Sequence, residues 1–166
     1  ASYIAEIADE ISGENFPAHE VLQMTLNTLY AIETGLKPLW QIKATYELFA
    51  ANVSGFMPDL GACRDCGKEE LDRELWLDVM NGAIVCAECL SKKNGSLPLP
   101  ETDRFETRNI LLPLDSSALA AMKYVFSAES RKIFSFSLNG TSMELFCRAA
   151  EKGRAEQGKR LRQKEG

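Results

Sequence analysis

The chain has 166 residues, 45% of them hydrophobic, and a formal net charge of −5 at pH 7. That is enough chain for one sizeable core plus a small module and too little for several independent cores, and no apolar run reaches the length of a membrane span, so the reading is of a soluble protein with no membrane partner. The charge is uneven: positions 1–62 hold two basic and eight acidic residues, positions 148–166 seven basic and three acidic, which points to separate faces with separate partners.

Tyr3, Ile4, Ile7, Ala8 and Ile11 recur at three-and-four spacing and predict a helix that closes at Ser12-Gly13. No capping sequence precedes it, so it reads as a helix entered partway, below an upstream domain. A second helix is expected from about Pro17 to Gly35, with Leu22, Leu26, Leu29 and Tyr30 on its packed face. A third starts at Pro38, carries the apolar stripe Leu39, Ile42, Tyr46, Phe49, Val53 and Phe56, and ends at Gly55 and Pro58. Such a stripe is what packing against two neighbouring helices requires.

The next stretch holds two Cys-x-x-Cys pairs, Cys63/Cys66 and Cys86/Cys89, nineteen residues apart. Two cysteines three apart turn both sulfurs toward one point, and two such knuckles supply the four thiolates of a closed tetrahedral Zn²⁺ site. Gly67 lets the first knuckle take a positive φ. Between the pairs, Leu75-Trp76-Leu77 and Ala83-Ile84-Val85 flank Asn81-Gly82, a strong hairpin signal. The expectation is a small zinc ribbon with one structural Zn²⁺ per chain, closed to catalysis because four thiolates leave no position for water. Two disulfides are the competing reading. Against them stand the absence of a signal peptide and the unpaired Cys147 in an apolar helical pattern, both of which suit a reducing, cytoplasmic setting. A redox dithiol needs one pair at a helix start rather than two facing pairs.

Ser91 to Asp103 is rich in Ser, Pro, Gly and charge and reads as an exposed connection. Asp115 or Ser116 caps a helix carrying Leu119, Met122 and Phe126, and another begins near Thr141 with Met143, Phe146, Cys147 and Ala150 inward. Alternation of Phe134, Phe136 and Leu138 suggests a short extended piece between them. The fold class is therefore mainly α: a helical bundle (1–62 and 91–152) with an inserted four-cysteine zinc ribbon (63–90) containing a small β-hairpin. Residues 153–166, with three glycines and one leucine, make a poor buried helix and read as a basic tail open to disorder.

The run Leu48 to Leu60, ending Gly55-Phe56-Met57-Pro58-Asp59-Leu60, followed by Cys63-x-x-Cys66-Gly67 and Gly82-Ala83-Ile84-Val85-Cys86-x-x-Cys89, resembles the C-terminal part of the bacterial DNA repair family RecO. Leu26 to Tyr30 and Arg148 to Lys152 sit where that family has similar helices, so the likeness spans roughly positions 1–152. The resemblance implies a recombination mediator without bond chemistry of its own. Its members join an OB-fold to a helical, often zinc-bearing region, anneal single strands, and work with RecR and with the acidic, apolar-ended tail of SSB. This chain departs from that pattern in lacking the OB-fold, the part best suited to single-stranded DNA, and in its final residues.

Read without the resemblance, the signals for nucleic acid are the basic clusters Lys92-Lys93, Arg131-Lys132 and the tail from Arg148 through Lys152 and Arg154, each able to add salt-dependent, sequence-blind affinity. Enzyme chemistry has little to stand on. His19 is the sole histidine, at a helix start, and no Ser/His/Asp set or Gly-rich phosphate loop accompanies it. The adjacent pairs Asp9/Glu10 and Glu69/Glu70 point their carboxylates apart on either a helix or a strand. Two readings from different classes follow: the docking domain of a RecO-like mediator, or a free-standing zinc-ribbon adaptor that binds a protein partner.

Overall fold

The computed structural model describes residues 2–12, 18–69, 74–94 and 111–164. Helix α1 (Ser2–Glu10) buries Ile4 and Ile7, and Ile11 just beyond it, as the three-and-four spacing requires. Helix α2 (Ala18–Glu33) turns a different face inward from the one expected. Val21, Met24, Thr28 and Ala31 are buried, whereas Leu22, Leu26, Leu29 and Tyr30 are exposed. Thr28 and Ala31 are small, which lets α2 approach its neighbour closely, and the Thr28 hydroxyl loses nothing on burial because it donates to the Met24 carbonyl at 2.8 Å. Hydrophobicity alone favoured the bulkier leucines, and both sets share the same helical period.

Helix α3 (Leu39–Val53) is the axis of the molecule, and nearly every side chain from Gln41 to Ala51 is buried. Tyr46 is fully buried, its hydroxyl 2.7 Å from Thr25 Oγ1, and Gln41 Nε2 donates to the Phe136 carbonyl at 3.1 Å. The helix stops where Gly55 takes φ 73°, freeing Phe56 N–H to donate back to Ala51 at 2.8 Å.

Strands β1 (Asp59–Cys63), β2 (Leu75–Asp78), β3 (Ala83–Cys86) and β4 (Leu111–Leu114) form one sheet in the order β1-β3-β2-β4. The hairpin is the expected one: β2 and β3 are antiparallel with Trp76 opposite Val85 and Leu77 opposite Ile84, around Gly82 at φ 59°. The two flanking strands are additional. β1 pairs parallel to β3 with a register shift, and β4 pairs antiparallel to β2, Leu75 facing Leu114. All four residues of β2 and of β3 are buried, so the hairpin is covered on both faces.

Helix α4 (Ala87–Asn94) follows β3 directly and runs into the start of the stretch from Ser91 read as a connection; the rest of that stretch lies outside the described residues. Helix α5 (Ser116–Ser127) is capped by Asp115, which accepts from Ala118 N–H at 2.7 Å. Residues 131–139 adopt turns and irregular backbone rather than a strand. They are held by edge-on aromatic contacts of Phe136 with Tyr124 (5.9 Å) and Phe146 (5.4 Å). Helix α6 (Gly140–Lys164) packs along α3 and also meets α5 and β4. It continues as helix through residues 153–164, where the sequence suggested a loose tail. Gln157 is buried, and Arg154 pairs with Glu10 of α1, so tertiary contacts override weak propensity. One hydrophobic core runs from Ile4 through Ile42, Ile84 and Leu112 to Phe146 and takes in Cys63, Cys86 and Cys89. Among the described residues no helix is long and apolar enough to cross a membrane.

Candidate metal centre

β1 delivers Cys63 at its end, and the turn after it carries Cys66. Gly67, at φ 71°, donates its N–H to the Cys63 carbonyl at 2.8 Å and closes the knuckle. On the other side Cys86 ends β3 and Cys89 stands in the first turn of α4. The parallel pairing of β1 with β3 brings the two ends together. The four sulfurs all lie within 4.8 Å of one another, and Cys66 Sγ is 3.8 Å from Cys86 Sγ. That is far beyond the length of a disulfide, and close to the edge of about 3.8 Å that a tetrahedron of thiolates has at a metal–sulfur distance of about 2.3 Å. Cys63, Cys86 and Cys89 are buried and Cys66 is exposed. These residues fit a metal ion: four donors, one centre, no open position.

Burial pushes the Cys63 thiol up, but N–H groups from Cys86, Cys66 and Asp65 outweigh it and hold the thiol down at about 6; the Cys86 N–H reaches its sulfur at 3.3 Å. Burial raises Cys86. Cys89 is pushed up to about 12, first by the thiols of Cys66 and Cys86. Four sulfurs in one pocket cannot all carry charge without a cation, and a bound metal would remove that conflict.

A second set of contacts fixes the knuckle to the hairpin. Arg64, inside the first Cys pair, donates from Nη1 to Asp78 Oδ2 at 2.8 Å. Asp78 is fully buried and also accepts from the Asn81 backbone N–H (3.0 Å) and side-chain Nδ2 (2.8 Å). A buried carboxylate needs this many donors. The only advance sign was an aspartate three residues before Asn81-Gly82.

Residues 1–152 match the model of the family described as "Recombination protein O C terminal". The chain belongs to the RecO family. It is 25% identical over 145 residues to the DNA repair protein RecO of Acetivibrio thermocellus, covering 87% of this chain and 51% of that protein. With RecO of Anaeromyxobacter sp. (strain K) it is 31% identical over 121 residues, 73% of this chain and 46% of that protein. With RecO of Dehalococcoides mccartyi it is 22% identical over 152 residues, 90% and 53%. The chain thus spans about half the length of these RecO relatives.

The basic residues that could serve a RecO-like DNA contact are distributed rather than gathered. Lys92 is exposed on α4, which also carries Lys93. Arg131 and Lys132 are exposed in the turn after α5, Lys132 lying 3.9 Å from Glu129. Arg148 and Lys152 are exposed on α6. Arg154 donates its guanidinium to the Glu10 carboxylate of α1. His19 is exposed in the first turn of α2.

Proposed function

We propose that this chain is the C-terminal docking domain of a RecO-type recombination mediator that acts in DNA repair and homologous recombination in the bacterial cytoplasm. It performs no bond chemistry. It offers surfaces to RecR, to the acidic SSB tail and to DNA, while single strands are held mainly by an OB-fold outside it. The family match across residues 1–152 carries this reading. The cysteine cluster supports a structural role for its metal, which we take to be Zn²⁺, one per chain: four thiolates close the coordination sphere, and the ion fixes β1 against β3.

Lys92, Lys93, Arg131, Lys132, Arg148 and Lys152 are the proposed phosphate contacts. Each adds affinity that falls with salt and is blind to sequence. Arg154 is better suited to holding α6 to α1.

The test is binding of the purified chain to immobilised RecR, to SSB, and to SSB lacking its acidic tail. Retention by RecR and by intact SSB, with loss on the tailless form, supports the reading. No retention by either partner overturns the docking role while leaving family membership intact.

A further inference from the structure

Helix α2 carries a second apolar face. Leu22, Leu26 and Tyr30 are 59%, 57% and 64% exposed, with Leu29 beside them. At about 3.6 residues per turn they lie opposite the buried Val21, Met24, Thr28 and Ala31. A single exposed leucine is ordinary, but four large apolar side chains along one stripe of a helix mark an interaction surface. Charge brackets the stripe: His19 stands at its start and Glu33 at its end, both exposed, and α2 has no Lys or Arg. The residues are also arranged symmetrically about Leu26. Leu22 and Tyr30 lie four residues to either side of it, His19 and Glu33 seven, so all five fall on one face within about two turns of the centre.

We propose that this face pairs with the same face of a second copy of the chain, the two α2 helices antiparallel about a two-fold axis at Leu26. In an isologous contact residue i meets j and j meets i. That operation sets Leu26 against the partner's Leu26, Leu22 against the partner's Tyr30, and His19 against the partner's Glu33, the last two pairs each made twice. Apolar meets apolar, and an imidazole meets a carboxylate. A parallel pair would instead set Glu33 against the partner's Glu33. An acidic peptide would find Glu20 and Glu33 here and no cation on the helix. A dissimilar partner, including the part of a RecO-type protein outside this chain, has no need of opposite groups at equal distances from one leucine. The stripe of one helix is small beside the roughly 800 Å² per partner of a standard interface, so the dimer is weak and reversible.

The test is analytical ultracentrifugation of the full, metal-loaded chain between about 10 µM and about 1 mM, the range in which a small interface dissociates. A reversible monomer–dimer equilibrium is expected. Leu26→Glu, which places two carboxylates on the axis, should weaken it at least about tenfold and leave the far-ultraviolet circular dichroism spectrum unchanged. His19→Glu should weaken it about threefold or more by setting like charges together at both ends. Adding Glu33→Lys should restore it; both changes suit the helix dipole, so neither weakens α2 itself. A chain that stays monomeric at about 1 mM, a dimer that survives Leu26→Glu, or charge variants that depart from this order overturn the proposal. Hydrogen exchange slowed in α2 only on adding an acidic-tail peptide, or only in a longer chain, would give the face to that occupant instead.

Discussion

Cys147 tests the assignment of thiols to roles. It sits on α6, outside the cluster, with its sulfur 3.6 Å from the Trp40 carbonyl. Burial and then the nearby Glu47 carboxylate push it up to about 11. Cys147→Ala is expected to leave bound zinc at one per chain, measured by elemental analysis, and lost metal would make it a ligand. With its thiol held up in this way Cys147 stays protonated at pH 8, so iodoacetamide should modify it slowly. Because its folded value lies above the ordinary thiol value, the stability it contributes is complete below about pH 9 and fades as pH rises through about 11. The spacing of the cysteines made four of them readable as a group and left the fifth over. Glu47 was not readable. It is buried, receives the Tyr3 hydroxyl and lies 2.9 Å from Lys43 Nζ, and nothing in a helical sequence marks which glutamate will be enclosed by a distant helix.

Among the elements, α2 and α6 are where the structure departs from pattern. If the buried face of α2 is Val21, Met24, Thr28 and Ala31, then Met24→Ala opens a cavity and should cost about 2–5 kcal/mol. Leu26→Gln, on the exposed face, should change stability by less than about 0.5 kcal/mol. Urea unfolding of both variants measures this, and the reverse order would restore the leucine face to the core. On α6, truncation after Lys152 removes Gln157 from the interior and Arg154 from Glu10. It should lower stability by about 1–3 kcal/mol, even though a surface ion pair alone contributes under about 1 kcal/mol. An unchanged urea midpoint would mean the last three turns are decoration. Periodicity fixes that a helix exists; it fixes the packed face only when one face alone is apolar, which α2 does not satisfy.

For the molecule as a whole, the sheet decides how a metal bound by the four cysteines would couple to stability. β1, β2 and β3 carry or flank the cysteines, β4 joins them from beyond residue 110, and the sheet shares one core with the helices. A structural zinc site contributes about 10–16 kcal/mol, comparable to the whole stability of a domain at about 5–15 kcal/mol. Chelation is therefore expected to lower the melting temperature of the entire chain by more than about 10 °C in one transition; a separate ribbon transition with the helical melt unmoved would refute the coupling. Local features were legible from residue order alone: the helices, from their spacing; the hairpin, from Asn81-Gly82; and the four-thiol centre, from two short Cys pairs. The helices, the turn and each Cys pair are marked by residues within a few positions of one another, and the two pairs are matched to each other by their motif across nineteen residues. Long-range packing settled the parallel pairing of β1 with β3, the recruitment of β4, the inward face of α2, the burial of Asp78 and the ordering of the last turns of α6. Each of those depends on groups far apart in the chain, whose mutual burial no local pattern encodes.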